Sequence, residues 1–283
     1  MQVDGKNSLN VHQIDSRIRL VGSGSPKVDC GHYFATICKN GVEHRSGQLD
    51  FSGNDTGKGK ALLEWHRMHC KRPECPICWR SWRAREVHAS CRRLKAYVDL
   101  VWEKEKRHVR PVHVILSPPQ QFWDLPYVKL RQMAYRVARK AGIDGGKLIY
   151  HPSRNRVDFS PHFHFVGYGW IYPVYESTGW IVKNKGIRRS VAGTISYELG
   201  HAGLVAGRKT VTWFGSINYH ALKLPKEEKS PRLCPQCQGL MFKAVYIGSR
   251  ELPEKVEGSQ WLDDPDDWCI VNFRPHLRED WEV

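Results

Sequence analysis

Lys147-Leu-Ile-Tyr-His151 and His162-Phe-His-Phe-Val166 are the two stretches on which the reading of this chain turns. Each is short, apolar and alternating, and successive side chains of a strand point to opposite faces. Phe163 and Phe165 therefore belong to a core, while His162 and His164 share the other face. Arg154-Asn-Arg-Val-Asp158 lies between the two runs and reads as a loop, so 147–166 is expected to be a hairpin. That hairpin sets His151, eleven residues before His162, beside the histidine pair. Three imidazoles on neighbouring strands make a ligand set for a divalent ion with positions left open, and Asp158 competes for the third place.

Upstream, Val112-His-Val-Ile-Leu116 suits a buried strand whose exit at Ser117-Pro118-Pro119 is forced extended. Asp124 and Pro126 then signal a helix start, and Val128, Met133, Val137 and Ala141 form its apolar stripe up to Gly142. Asp144-Gly-Gly146 reads as a turn. Downstream, Trp180–Lys183 is a further strand turning at Asn184-Lys-Gly186. Ser190 caps a helix to about Ala202, closed by Gly203. On it Thr194, Tyr197 and His201 share one face, and Ile195 and Leu199 another. Tyr197 is thus a nucleophile candidate, or else a surface tyrosine whose ring covers core while its hydroxyl stays wet.

Further upstream, Trp79, Trp82, Val87, Cys91, Leu94, Val98 and Val101 recur at helical spacing with arginines between them, so Ile77 to about Lys106 reads as a long basic amphipathic helix. The first 60 residues, rich in Gly, Ser, Asp and Asn, read as irregular hairpins and loops.

The chain has 283 residues, with 44 Lys and Arg against 29 Asp and Glu, a formal charge of +15. Such a field holds a polyanion. No run approaches the roughly 18 apolar residues of a membrane span, and the start lacks a signal-peptide core. A cytoplasmic protein with no membrane partner is expected. Residues 250–283 invert the balance with ten acids and four bases, which reads as a solvated acidic tail in preference to a cover for a basic groove. Gly53-Asn-Asp-Thr-Gly57-Lys58-Gly59-Lys60 fails the phosphate-loop pattern, being one residue short and lacking Ser or Thr after the lysine.

Nine cysteines, several closely spaced, point to structural zinc in a reducing compartment. Cys70, Cys75 and Cys78 have knuckle spacing; Cys38 is the preferred fourth ligand, ahead of Cys30, His44 and His69. Cys234 and Cys237 form a second half-site, with Cys30, Cys38 and Cys269 as candidate partners, or else are two ordinary reduced cysteines in a turn. The DNA-binding candidates are Arg83 and Arg92 on the long helix and Lys183, Lys185, Arg188 and Arg189 around the later turn.

The strand ending in Ser117-Pro118-Pro119, then Gly145–Arg154, then Ser160-Pro-His162-Phe-His164 to Gly169, then Thr194-Ile-Ser-Tyr197-Glu-Leu-Gly-His201 resembles, in order and spacing, the three motifs of HUH-superfamily rolling-circle replication initiators, in their archaeal plasmid and virus flavour. The resemblance covers about residues 111–222. It implies an α+β fold with an antiparallel sheet of four to five strands and flanking helices, with Mn²⁺ or Mg²⁺ at the histidine pair. It also implies Tyr197 as the nucleophile that nicks and rejoins single-stranded origin DNA, with Tyr219 as an alternative. Relatives carry a threonine-rich first motif, where this chain has His113-Val-Ile-Leu-Ser117, and a lysine one turn after the tyrosine, whose accessory role would pass to His201. A host polymerase or helicase would be the protein partner. An HUH transposase or relaxase, or a non-catalytic zinc-stabilised DNA- or RNA-binding protein, are the alternatives. The expected division is 1–108, zinc-binding and basic helical; 109–222, nicking and joining; 223–283, cysteine-containing and acidic.

Overall fold

Strands β5 (Ile143–Ser153) and β6 (Phe159–Gly169) pair antiparallel, with His151 opposite His162 and Ile149 opposite His164. The computed structural model describes residues 18–40, 43–44, 60–153, 159–226, 230–252, 258–263 and 265–275. The loop residues 154–158, Asp158 among them, lie outside these, as does nearly all of the stretch compared with a phosphate loop. The strand begins earlier than the expected turn: Asp144-Gly-Gly146 belongs to β5, with a bulge near its start. Gly146 is required there, because a Cβ would collide with the Phe165 ring.

The chain divides into two compact units, Met1–Ser25 with Lys71–Pro225 and Pro26–Cys70 with Lys226–Val283. These differ from the division at 108 and 222, because pairing of segments far apart in sequence decides them.

In the larger unit, β4 (Val112–Ser117), β7 (Ile181–Ile187) and β9 (Val211–Gly215) complete a five-stranded antiparallel sheet of order β7-β4-β6-β5-β9. β1 (Ile18–Leu20) and β8 (Gly203–Val205) form a separate pair. Helix α2 (Tyr127–Lys140) covers one sheet face: its Leu130, Ala134, Val137 and Ala138 join Val114, Leu148, Tyr150, Phe163 and Phe165 in one core cluster. A second cluster on the opposite face unites Leu94 of α1 (Trp79–Glu105) and Ile195 and Leu199 of α4 (Val191–Gly200) with Ile149, Val166 and Tyr168. The Tyr168 hydroxyl donates to the Leu94 carbonyl at 2.9 Å, tying α1 to the sheet. Each fully buried Phe or Leu contributes roughly 1.5–3 kcal/mol. A short helix, α3 (Tyr175–Thr178), precedes β7, which runs straight through the Asn184-Lys-Gly186 stretch expected to turn. Gly186 there has φ +77°, and the β4–β7 register shifts between Val112 and Val114, so the strand absorbs the glycine as an irregularity.

The smaller unit is a five-stranded antiparallel sheet, β11-β3-β2-β10-β12, built from β2 (Tyr33–Cys38), β3 (Ala61–Arg67), β10 (Phe242–Tyr246), β11 (Ser259–Leu262) and β12 (Trp268–Pro275). Ala35, Ile37, Leu63, Ala244, Leu262 and Trp268 form its core. Part of the acidic stretch is built into this unit: β11 and β12 are both paired, and Asp263, next to β11, meets Lys60 Nζ at 2.7 Å; residues 276–283 lie outside the described residues. Residues 33–38, within the first 60 residues expected to form irregular hairpins and loops, are likewise a regular strand, paired with residues 61–67. No helix among the described residues is long and apolar enough to cross a membrane.

Candidate metal and tyrosine site

The alternation that sends Phe163 and Phe165 to the α2 side leaves His162 and His164 on the α4 side, and register adds His151 from β5 and His113 from β4. The ligand atoms of His151, His162 and His164 lie within 4.8 Å of one another. Two of these rings are oriented by main-chain carbonyls. His162 Nδ1 is 2.7 Å from Ser160 O, and His151 Nε2 is 2.8 Å from Glu198 O. A ring nitrogen facing a carbonyl carries the proton and donates it, so His162 Nε2 and His151 Nδ1 keep their lone pairs. Burial, reinforced by the neighbouring imidazoles, lowers His164 well below the ordinary histidine range and His151 to about 3. His151 and His164 are neutral near pH 7, so an ion would displace no ring proton from either.

Beneath them lies a polar layer that the sequence did not announce. Lys147, Glu198 and His113 are buried, the first two completely. Glu198 Oε1 is 3.3 Å from His113 Nε2 and 3.9 Å from His164 Nδ1, and its Oε2 is 3.7 Å from Lys147 Nζ. His113 Nε2 and His164 Nδ1 are hydrogen-bonded at 2.9 Å. Lys147 Nζ and both Glu198 carboxylate oxygens make no hydrogen bond among the described residues. Burial is the largest influence on each, pushing Lys147 down to about 8 and Glu198 up to about 7, and their mutual attraction works against both shifts. His113 falls to about 4, through burial first and then Arg188, Lys185 and Lys147. His113, His164 and Glu198 form a second ligand group by distance, sharing His164 with the first. Neutral imidazole nitrogens backed by a buried carboxylate fit a divalent first-row ion.

Two signals could have revealed this layer. Glu198 falls three residues after Ile195 and one before Leu199, on the apolar stripe of α4, and Lys147 alternates in step with Ile149 and His151.

Ser190 caps α4, its hydroxyl accepting the Gly193 amide at 3.1 Å. Tyr197, 62% exposed, lines a cleft of about 730 Å³ with His113, His164, Thr194 and the cations Lys185, Arg188 and Arg189. Arg188 Nε is steadied by donating to Thr194 Oγ1 at 2.9 Å. His201 lies at the C-terminal end of α4, its ring centroid 4.8 Å from that of Tyr197 and 6.2 Å from that of His151. Tyr219 is not part of this cleft. It packs with the Arg93 guanidinium 4.6 Å and Lys209 Nζ 4.9 Å from its ring centroid, and burial pushes its phenol up. Of the predicted DNA cations, Lys185, Arg188 and Arg189 come together here. Lys183 is exposed on β7, Arg83 lies over the Trp79 ring, and Arg92 donates to Pro225 O at 3.1 Å.

The cysteines sort differently from the expected pairing. Cys38 belongs with His44, Cys234 and Cys237, not with Cys70, Cys75 and Cys78. β2 pairs with β10, which carries the Cys234–Cys237 turn to the end of β2, and Cys38 Sγ lies 3.6 Å from Cys237 Sγ. Cys234 Sγ is 3.5 Å from His44 Nε2, and His44 Nδ1 faces Lys60 O at 2.6 Å. Hydrogen bonding with Cys38 draws Cys234 down to about 5 while Cys38 is pushed up. Cys75 and Cys78 stand on the larger unit, and Cys30 and Cys70 on the smaller. The Cys38, His44, Cys234 and Cys237 group could hold zinc. Cys269 is exposed and His69 does not belong to that group.

Comparison with known proteins returns no match among family models, curated proteins or solved structures.

Proposed function

We propose that the chain is a replication initiator of the HUH type that nicks and rejoins single-stranded DNA through Tyr197. The observation that supports this most is the convergence of three imidazoles on paired strands, one of which, His164, lines the same cleft as an exposed tyrosine and three cations. His151, His162 and His164 would hold Mn²⁺ or Mg²⁺, and the bound ion supplies Lewis-acid polarisation of a scissile phosphate. Lys185, Arg188 and Arg189 hold the flanking phosphates. Tyr197 Oη attacks phosphorus, its proton passing to water; the new Tyr–O–P bond replaces the P–O3′ bond, and the leaving oxygen takes up a proton as a 3′-hydroxyl. A host polymerase can extend that hydroxyl, and attack by a 3′-hydroxyl reverses the step. Structural zinc in the cysteine groups is separate from this chemistry.

The test is incubation with end-labelled single-stranded origin oligonucleotides and Mn²⁺, read on denaturing gels. A protein-linked product is expected from the native chain, and losses of at least about 100-fold in Tyr197→Phe and His162→Ala. Cleavage surviving Tyr197→Phe would move the nucleophile to Tyr219 or water. Tight binding with no cleavage would leave a zinc-stabilised nucleic-acid-binding protein.

A further inference from the structure

A second groove of about 730 Å³ lies on the larger unit, lined among others by Arg107, Arg110, Trp170, Tyr172, Asn184 and Ile187. Ile187 also lines the Tyr197 cleft, so the two depressions meet at β7, the edge strand of the sheet. Two aromatic rings stand open in it. Trp170 is 76% exposed and Tyr172 54% exposed, although large apolar side chains are ordinarily covered. Tyr172 is held in place: its amide donates to Ala141 O at 2.9 Å, and its ring lies so close over Gly142 that a Cβ there would clash. Gly142, at φ +83°, is the residue that permits this approach. Arg110 is exposed, Arg107 is paired with Glu105 at 2.9 Å, and Asp144 is the groove's acidic lining residue.

We infer that this groove seats a flank of single-stranded DNA, its bases stacked on Trp170 and Tyr172 and its phosphates near Arg110, the strand running along β7 to the Tyr197 cleft. Fixed aromatic faces beside Arg110 match what unpaired bases and their backbone require, and Lys185, Arg188 and Arg189 in the adjoining cleft, which no acid lines, favour a polyanion over a protein partner. Stacked bases in a duplex present no free face, so the groove selects single strands.

The direction of the strand rests on the nicking reading; the groove does not. Binding is therefore measured in the Tyr197→Phe chain, with a fluorescently labelled oligothymidine and fluorescence anisotropy, without divalent ion. Trp170→Ala and Tyr172→Ala should each weaken binding by roughly tenfold, Trp170→Phe should recover most of it, and affinity for a duplex of equal length should not change. Circular dichroism of each variant establishes that it is folded. An unchanged dissociation constant in the folded Trp170→Ala/Tyr172→Ala double variant would overturn the inference. So would tighter binding of an oligouridine than of the DNA, which would make the occupant RNA. Weakened binding without any nicking by the native chain sinks the nicking reading and leaves the groove. Normal nicking with unweakened binding does the reverse.

Discussion

Substituting Lys147 alone leaves the Glu198 carboxylate buried without the cation 3.7 Å away, which costs more than deleting both charges. Lys147→Met should lower the unfolding free energy by about 3–5 kcal/mol, and Lys147→Met/Glu198→Gln by clearly less, measured by urea denaturation of the metal-free protein. A loss in the double variant equal to the sum of the Lys147→Met and Glu198→Gln losses would mean that the two groups do not interact. Both residues are visible in the sequence, yet a lysine on a strand and a glutamate on a helix are ordinarily solvated, and only their position in the apolar periodicity marks them. His162 and His164 were legible because a two-residue repeat on a strand admits a single face. Which nitrogen each ring offers was not, since that depends on Ser160 O and Glu198 O.

At the level of elements, β4 and β5 each carry an imidazole that burial keeps neutral. His113 and His151 titrate at about 4 and about 3 when folded, against about 6.5 for the unfolded chain. At these two rings the unfolded chain binds more protons throughout that interval, and Glu198, raised to about 7, offsets only one of them, so stability falls as pH falls. The metal-free protein should lose its urea midpoint progressively from pH 6.5 towards 4; a flat midpoint across that range would place those rings in water. The hairpin, α1, α2 and α4 were readable because each repeats its apolar residues at one period over many positions. β7 was not, because Asn184-Lys-Gly186 has turn composition and only pairing with β4 keeps it extended.

Over the whole molecule, the smaller unit escaped the sequence because its partners stand far apart: Ile37 pairs with Phe242, and Leu63 with Gln260. The same separation left Cys38 as one of three candidate partners of Cys234 and Cys237, while its preferred place in the sequence was with Cys70, Cys75 and Cys78. Cys234→Ser should remove one zinc per chain, read by elemental mass spectrometry, and lower the melting temperature, whereas Cys269→Ser should change neither. Full zinc content in Cys234→Ser would separate that group from metal binding.

The order of strands also sets a timetable for a nascent chain. β2 and β3 leave the ribosome before every residue of the larger unit from Lys71 to Pro225, whereas β10, β11 and β12 follow it. At roughly 5–20 residues per second, the free edge of β2 waits about 10–40 seconds for β10. The larger unit can close in that interval, so a ribosome stalled once Pro225 has cleared its exit tunnel would display a finished five-stranded sheet together with a β2–β3 pair whose two outer edges are still open.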